Sequence, residues 1–286
     1  MLILFTSDLH GEPALYEQLF GLIAARRPGA VLLGGDICPT HFGPEGPPIQ
    51  RRFLEQLFAR FERIAAAQGT RFFFIFGNAD CRANWEWLVG RERSHAVPVH
   101  GRVLEMGEGL CVAGYNYVPV THLALKDWEK RDLRVTGTER WEGIVTLERG
   151  MEKVDLRKGD PADTLERDFQ RLGGQLDSRP TICVLHSPPA DTHLDCIGGG
   201  RHVGSLAARG FLERTQPALA LSGHIHESPR LSGRYADRLG RTLCVNPGQT
   251  PGGRLHAVLF DSADPAGTLT HTVLGSAGGV PGAPPG

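Results

Sequence analysis

The chain has 286 residues, enough to bury one large core or two modest ones, and its 41% hydrophobic and 22% charged content is ordinary for a globular protein. A formal net charge of −1 gives no electrostatic case for a nucleic-acid or membrane-surface partner. Six scattered cysteines with no C-x-x-C pair exclude a disulfide framework, no run reaches the roughly 18 apolar residues of a bilayer span, and the opening strand leaves no secretory n-region; a cytoplasmic location is expected.

In chain order, Leu2–Phe5 reads as a buried strand that empties into Asp8-Leu-His10-Gly11. Pro13 opens a helix with Leu15, Leu19, Leu22 and Ile23 on its apolar face, ending near Pro28-Gly29. Ala30–Leu33 is a second strand running into Gly34-Gly35-Asp36, followed by a Pro/Gly-rich loop from Pro39 to Pro48. From Arg51 to Gln68 the residues Phe53, Leu54, Leu57, Phe58, Phe61 and Ile64 recur at helical spacing, and Gly69 stops them. Phe72–Phe76 is a third buried strand leading into Gly77-Asn78-Ala79-Asp80. Such a βαβαβ order predicts a parallel sheet covered by helices.

Leu110–Gly114 and Thr181–Leu185 read as further strands. Between them, Lys126–Gly159 is charged and lacks apolar periodicity, and is expected to be an insertion or lid. Asp160-Pro161 is expected to open a helix containing Leu165, Phe169 and Leu172, closed by Gly173-Gly174. After His186-Ser-Pro-Pro189 come three glycines at 198–200, a short helix from Ser205 to Arg214, and a strand at Ala218–Leu221 leading to Gly223-His224-Ile-His226. Leu243–Asn246, Leu255–Phe260 and Leu269–Val273 are expected to be short strands of a second sheet, within one domain spanning residues 1–275. The Gly/Pro/Ala-rich residues 276–286 read as a disordered tail.

Taken singly, each polar cluster has a bland reading: Asp-x-His or Gly-Asp at a strand end is usually a turn. Gly-His-Ile-His has no such reading, because two imidazoles after a buried strand cost stability. Carboxylate, amide and imidazole clusters at successive strand ends together form a metal-type donor set, and ligands of open α/β sheets bind outside the carboxyl ends of strands. Mn²⁺, Fe or Zn²⁺ suit that set, with Ni²⁺ a further fit, and the lack of cysteine argues against structural zinc.

These blocks, Asp8-Leu-His10, Gly35-Asp36, Gly77-Asn78-Ala-Asp80, His186 and Gly223-His-Ile-His226, resemble those of the calcineurin-like metallophosphoesterase superfamily in order and spacing, over roughly residues 1–260. The resemblance implies an α/β sandwich of two mixed sheets flanked by helices, with a site for two divalent metals at strand carboxyl ends. One metal would be held by Asp8, His10, Asp36 and His226, the other by Asp36, Asn78, His186 and His224, with Asp36 bridging. It further implies a phosphoesterase, foremost a phosphodiesterase acting on a small phosphoester through in-line attack of a bridging hydroxide. A phosphomonoesterase, a nuclease and a non-catalytic scaffold are the rivals. The superfamily commonly places a histidine general acid after the Asn of its third block, and here that position is Ala79. His41, His122, His193 and His202 are the candidates to replace it, with His202 first.

Overall fold

Alternation along the opening strand decides the layering. The computed structural model describes residues 1–90 and 95–276. In the strand Leu2–Thr6, Ile3 and Phe5 face one way while Leu4 faces the other. The same division runs through Ala30–Gly34 and Arg71–Ile75. Leu32, Phe73 and Ile75 join Ile3 and Phe5 against Val112, Ile182, Val184, Leu221 and Val245 of a second sheet. Val31, Leu33, Phe72 and Phe74 turn outward, beneath the helices Pro13–Arg26 and Gly46–Gln68. The far face of the second sheet is covered in turn by Leu165–Gly173 and Leu206–Thr215, which bring Phe169 and Phe211 onto Tyr115 and Cys183. Two sheets thus pack face to face between outer helices, as the resemblance implied.

Seven strands make the first sheet, in the spatial order 275–276, 270–271, 257–261, 2–6, 30–34, 71–75 and 96–98. Strands 2–6, 30–34, 71–75 and 96–98 run parallel. Six make the second, in the order 236–239, 242–245, 219–221, 181–185, 110–115 and 103–107, with parallel pairing from 242–245 through to 110–115. The carboxyl ends of both parallel blocks release the chain into the polar clusters.

Several expectations are corrected. Of the C-terminal strands only Thr242–Val245 joins the second sheet. Ala257–Asp261 pairs antiparallel with Leu2–Thr6, and Thr270–His271 follows it there. Sheet membership rests on pairing between residues some 250 positions apart, which local pattern does not encode. The long helix begins at Gly46 rather than Arg51, because Pro47 and Pro48 fall in its first turn, where a missing N–H costs nothing. The helix expected from Asp160 starts a turn later, at Leu165, where the Thr164 hydroxyl accepts from the Arg167 N–H at 3.3 Å. The short helix Arg82–Val89 was not foreseen.

The stretch 126–159 divides into parts with different characters. Lys126–Lys130 runs into the core: the Lys126 Nζ–Glu129 Oε2 pair lies 2.5 Å apart with both side chains fully buried. Trp128 donates to the Asp80 carbonyl at 2.8 Å. Asp127 accepts from the Arg82 and Thr146 backbone N–H groups. These partners explain why a charged stretch can be buried. Glu142–Leu147 and Gly150–Asp155 form an antiparallel ribbon, and only the portion between Lys130 and Glu142, near 132–139, borders a cleft. The expected tail lies outside the described residues except for Ser276, which ends a short strand. All six cysteines are free, and among the described residues no helix is long and apolar enough to cross a membrane.

Candidate metal centre

The polar clusters meet where the two sheets' parallel strands end. Asp8 and His10 follow Leu2–Thr6, Asp36 follows Ala30–Gly34, and Asn78 follows Arg71–Ile75. From the second sheet, His186 follows Thr181–Leu185, and His224 and His226 follow Leu219–Leu221. The backbone is forced into unusual conformations to do this. Among the described residues eight non-glycines have positive φ, and four of them are Asp8 (59°), His10 (46°), Asp36 (48°) and His224 (65°). Such conformations cost energy and persist where surrounding contacts over-determine them, most often at functional sites.

Donor atoms converge in two groups sharing one carboxylate. In the first, His10 Nε2 and His226 Nε2 are 3.3 Å apart, and His226 Nε2 is 3.3 Å from Asp8 Oδ1. In the second, His186 Nε2 is 3.2 Å from Asn78 Oδ1, and the His186 and His224 rings lie 5.2 Å apart. Asp36 Oδ2 stands between, 3.7 Å from His10 Nε2 and 3.5 Å from His186 Nε2. All seven residues singled out from the sequence as metal-type ligands are therefore brought together. Two carboxylates, one amide oxygen and four imidazoles, with no ammonium or guanidinium among them, form a donor set that fits divalent transition metals.

The surrounding residues aim these atoms. His186 Nδ1 is held by the Gly34 carbonyl at 2.8 Å and His10 Nδ1 by the Thr40 hydroxyl at 2.9 Å, so both rings present Nε2 to the centre. Asp8 accepts the His224 N–H, at 3.0 Å to each oxygen, and Asp36 Oδ1 accepts the Ala79 N–H at 2.8 Å. Asp80, which sequence reasoning left without a role, fastens two of the loops: it accepts from Gly77 at 2.9 Å, Cys38 at 2.8 Å and Ile37 at 3.2 Å. Its position within Gly-Asn-x-Asp was the available signal.

Two glycines admit the close approach. A Cβ on Gly77 would lie 2.3 Å from both Asp36 Oδ1 and His186 Nε2, and one on Gly223 would lie 2.0 Å from Ser7 Oγ.

Charge at the centre is divided. Burial pushes the Asp36 carboxyl up, but the imidazoles of His186 and His10 outweigh it and hold the group well below the usual carboxylate range. Burial opposes a proton on His186, yet the Asp36 and Asp8 carboxylates bring it to about 9. His224, buried beside the His186 ring, is driven down to about 3. Burial, then the charge of Asp36, raises Asp80 to about 7 against its three N–H donors.

A cleft of about 600 Å³ opens over the centre. His10, Asp36, Asn78, His224 and His226 lie at its base with Ala79 beside them; Phe42, Pro119, Val120, Leu123 and Ile197 supply apolar wall. His202, foremost of the four histidines that could replace the missing acid, sits elsewhere. It does not line the cleft, and its Nδ1 is 2.7 Å from Asp195 Oδ1. Asp195, His202 and Cys196 form a tight group, but Asp195 also accepts the N–H groups of Asp191, Thr192 and Gly204, which makes it a turn fastener that draws the imidazole away. His193 is held by Asp237 at 2.8 Å, and His41 is likewise outside the cleft. Of the four candidates, His122 is the one on the cleft wall.

Comparisons with known proteins agree with this architecture. One solved structure superposes with a TM-score of 0.62 at 16% identity, covering 94% of this chain and 97% of its own. The crystal structure of TT1561 of Thermus thermophilus does so with a TM-score of 0.60 at 20% identity, covering 96% and 98% respectively. At such identities the likeness speaks for the fold alone. A search of curated proteins gave no match. The calcineurin-like phosphoesterase family model matches residues 1–228, most of the chain and every cluster just described, and the chain belongs to that family.

Proposed function

We propose that the chain is a phosphodiesterase that works with two divalent cations, Mn²⁺ foremost, on a small phosphoester. The observation that carries this reading is the single buried carboxylate of Asp36 facing imidazoles of both donor groups, since two like-charged cations held close need an anion between them. One group would comprise Asp8, His10, Asp36 and His226, the other Asp36, Asn78, His186 and His224. When bound, the cations supply positive charge against the phosphoryl oxygens and activate water for in-line attack.

The chain's own residues do the rest by position. Thr40 and the Gly34 carbonyl fix two imidazoles, and Asp80 holds the loops of Asp36 and Asn78 in register. The apolar wall from Phe42 to Ile197 gives a second ester substituent a surface to lie on, which favours a diester over a monoester. At position 79 a methyl group faces the cleft, so no histidine there protonates the departing oxygen. His122 is the replacement the cleft offers, in place of His202.

The test is hydrolysis of bis(4-nitrophenyl) phosphate against 4-nitrophenyl phosphate in the presence of Mn²⁺, with metal content measured on protein purified without chelator. Faster turnover of the diester and two metals per chain are expected; a metal-free protein inert to both would end this reading. His122→Ala should steepen the dependence of rate on leaving-group pKa, costing roughly 10²-fold for alkyl leaving groups and little for nitrophenol. An unchanged slope removes His122 from the reaction.

A further inference from the structure

The cleft is lined by two arginines, one with part of its guanidinium unpartnered and the other with none of it paired among the described residues. Arg134 lines it from the 132–139 segment and Arg201 from the short strand Arg201–His202. Arg134 Nη1 is tied to Asp191 Oδ1 at 2.8 Å, but its Nε and Nη2 are shielded from water and have no hydrogen-bond partner. A guanidinium edge left in that state costs free energy until an acceptor meets it. The side chain as a whole keeps 30% exposure and lines the cleft, so a rotation of its end is what would offer that edge to a ligand. Arg201 is exposed and has no ion-pair or hydrogen-bond partner for its guanidinium among the described residues.

Apart from Asp191, which holds one nitrogen of Arg134, two acids nearby are engaged elsewhere. Asp132 gives both oxygens to the Leu206 and Ala207 N–H groups that open a helix, and Glu139 accepts from Thr136 and Gly137. These carboxylates serve the backbone, while both arginines line the space a substrate would fill.

We propose that Arg134 and Arg201 read a second phosphate on the substrate, so that the cleft selects phosphodiesters bearing a phosphate group beyond the scissile one. The inference rests on the phosphodiesterase reading and narrows it to a substrate class. A terminal phosphate brings close to two negative charges and three acceptor oxygens, enough for guanidinium groups from two segments, whereas a carboxylate is satisfied by a single arginine fork. Its esterified end would lie over the metal-type cluster and its phosphate toward the arginines.

A matched pair of esters with one leaving group tests this: ethyl 4-nitrophenyl phosphate and 2-(phosphonooxy)ethyl 4-nitrophenyl phosphate, assayed with Mn²⁺. The unmodified protein should prefer the second, and Arg134→Gln and Arg201→Gln should each cut that preference roughly 10–100-fold, mainly through KM. Losing Arg134 frees Asp191 and can perturb the fold; Arg201, already exposed, supplies the variant that unfolding cannot explain. A kcat/KM ratio that neither substitution changes overturns the proposal, as does an equal preference for the 2-carboxyethyl analogue. Hydrolysis of neither ester would count against the phosphodiesterase reading instead, and calorimetric binding of the same two esters then decides whether the arginines select the phosphate.

Discussion

The base of the cleft and its rim are built on opposite principles. At the base, Asp36, Asn78 and His186 are buried, their donor atoms aimed by hydrogen bonds from other strand-end loops. At the rim, Leu133 and Val135 are 57% and 64% exposed, and Thr136 to Thr138 are exposed as well. The base is over-determined: a left-handed backbone at four of its seven ligands, two close-approach glycines and several hydrogen-bonded braces hold it. The rim is tied down through Asp132, Arg134 and Glu139 while its apolar side chains stay open to solvent. Chemistry that depends on placing two cations needs the first kind of structure, and substrate choice is served by the second.

The sharpest way to break this contrast is Asp36→Asn. If one carboxylate serves both donor groups, its neutralisation should lower kcat/KM by roughly 10³-fold or more and leave fewer than two metals per chain. His10→Ala, at one group only, should cost less. Metal content and kinetics measured on the two variants together decide it, and equal losses would remove Asp36 from its bridging role.

Next in size is Gly77→Ala. Its methyl would press on Asp36 and His186 at 2.3 Å, so one of the loops must shift. Thermal unfolding should show a loss of about 1–3 kcal/mol, with weakened metal binding as a second signature. A variant as stable and as metal-replete as the parent would show that the base is more pliant than its geometry implies.

A pH effect of comparable or smaller size concerns the turn behind His226. His271, 1% exposed, reaches the Pro247 carbonyl through Nε2 at 2.9 Å and accepts the Val273 and Leu274 N–H groups at Nδ1. Burial drives its pKa from 6.5 down to about 4. Below pH 6.5 the unfolded chain therefore takes up a proton that the folded one refuses. The stabilisation is whole above pH 6.5 and is lost as pH falls toward 4, amounting to as much as ~3 kcal/mol. Urea unfolding across that window should show the slope, and His271→Gln should flatten it.

The smallest effect belongs to the rim. Leu133→Ser with Val135→Ser should change stability by less than about 0.5 kcal/mol and leave metal content unaltered. Differential scanning calorimetry and metal analysis check both, and a large destabilisation would show that the rim is packed after all.

How much of this was legible in the sequence follows the same divide. The apolar runs at Leu2, Ala30, Phe72, Thr181 and Ala218, each ending in a polar cluster, marked the strands and all seven residues of the base, because strand-end ligands are local signals. Order along the chain was enough to imply the sandwich and the donor set. What the sequence did not carry was every decision made by distant pairing. Ala257–Asp261 entered the first sheet through its antiparallel register with Leu2–Thr6, and no local period distinguishes that from the second sheet. His202 and His122 look alike as loop histidines; only folding set one ring against Asp195 and the other on the cleft wall. Likewise the charge of Lys126–Gly159 suggested an insertion or lid, and tertiary contacts buried its opening residues, Lys126–Lys130, by giving each charge a partner. The sequence by itself determined which residues form the base, since their chemistry and backbone are specified within a few positions. The tertiary structure decided which loop side chains face it, because that depends on how each loop folds and on what it packs against, which residue type does not specify.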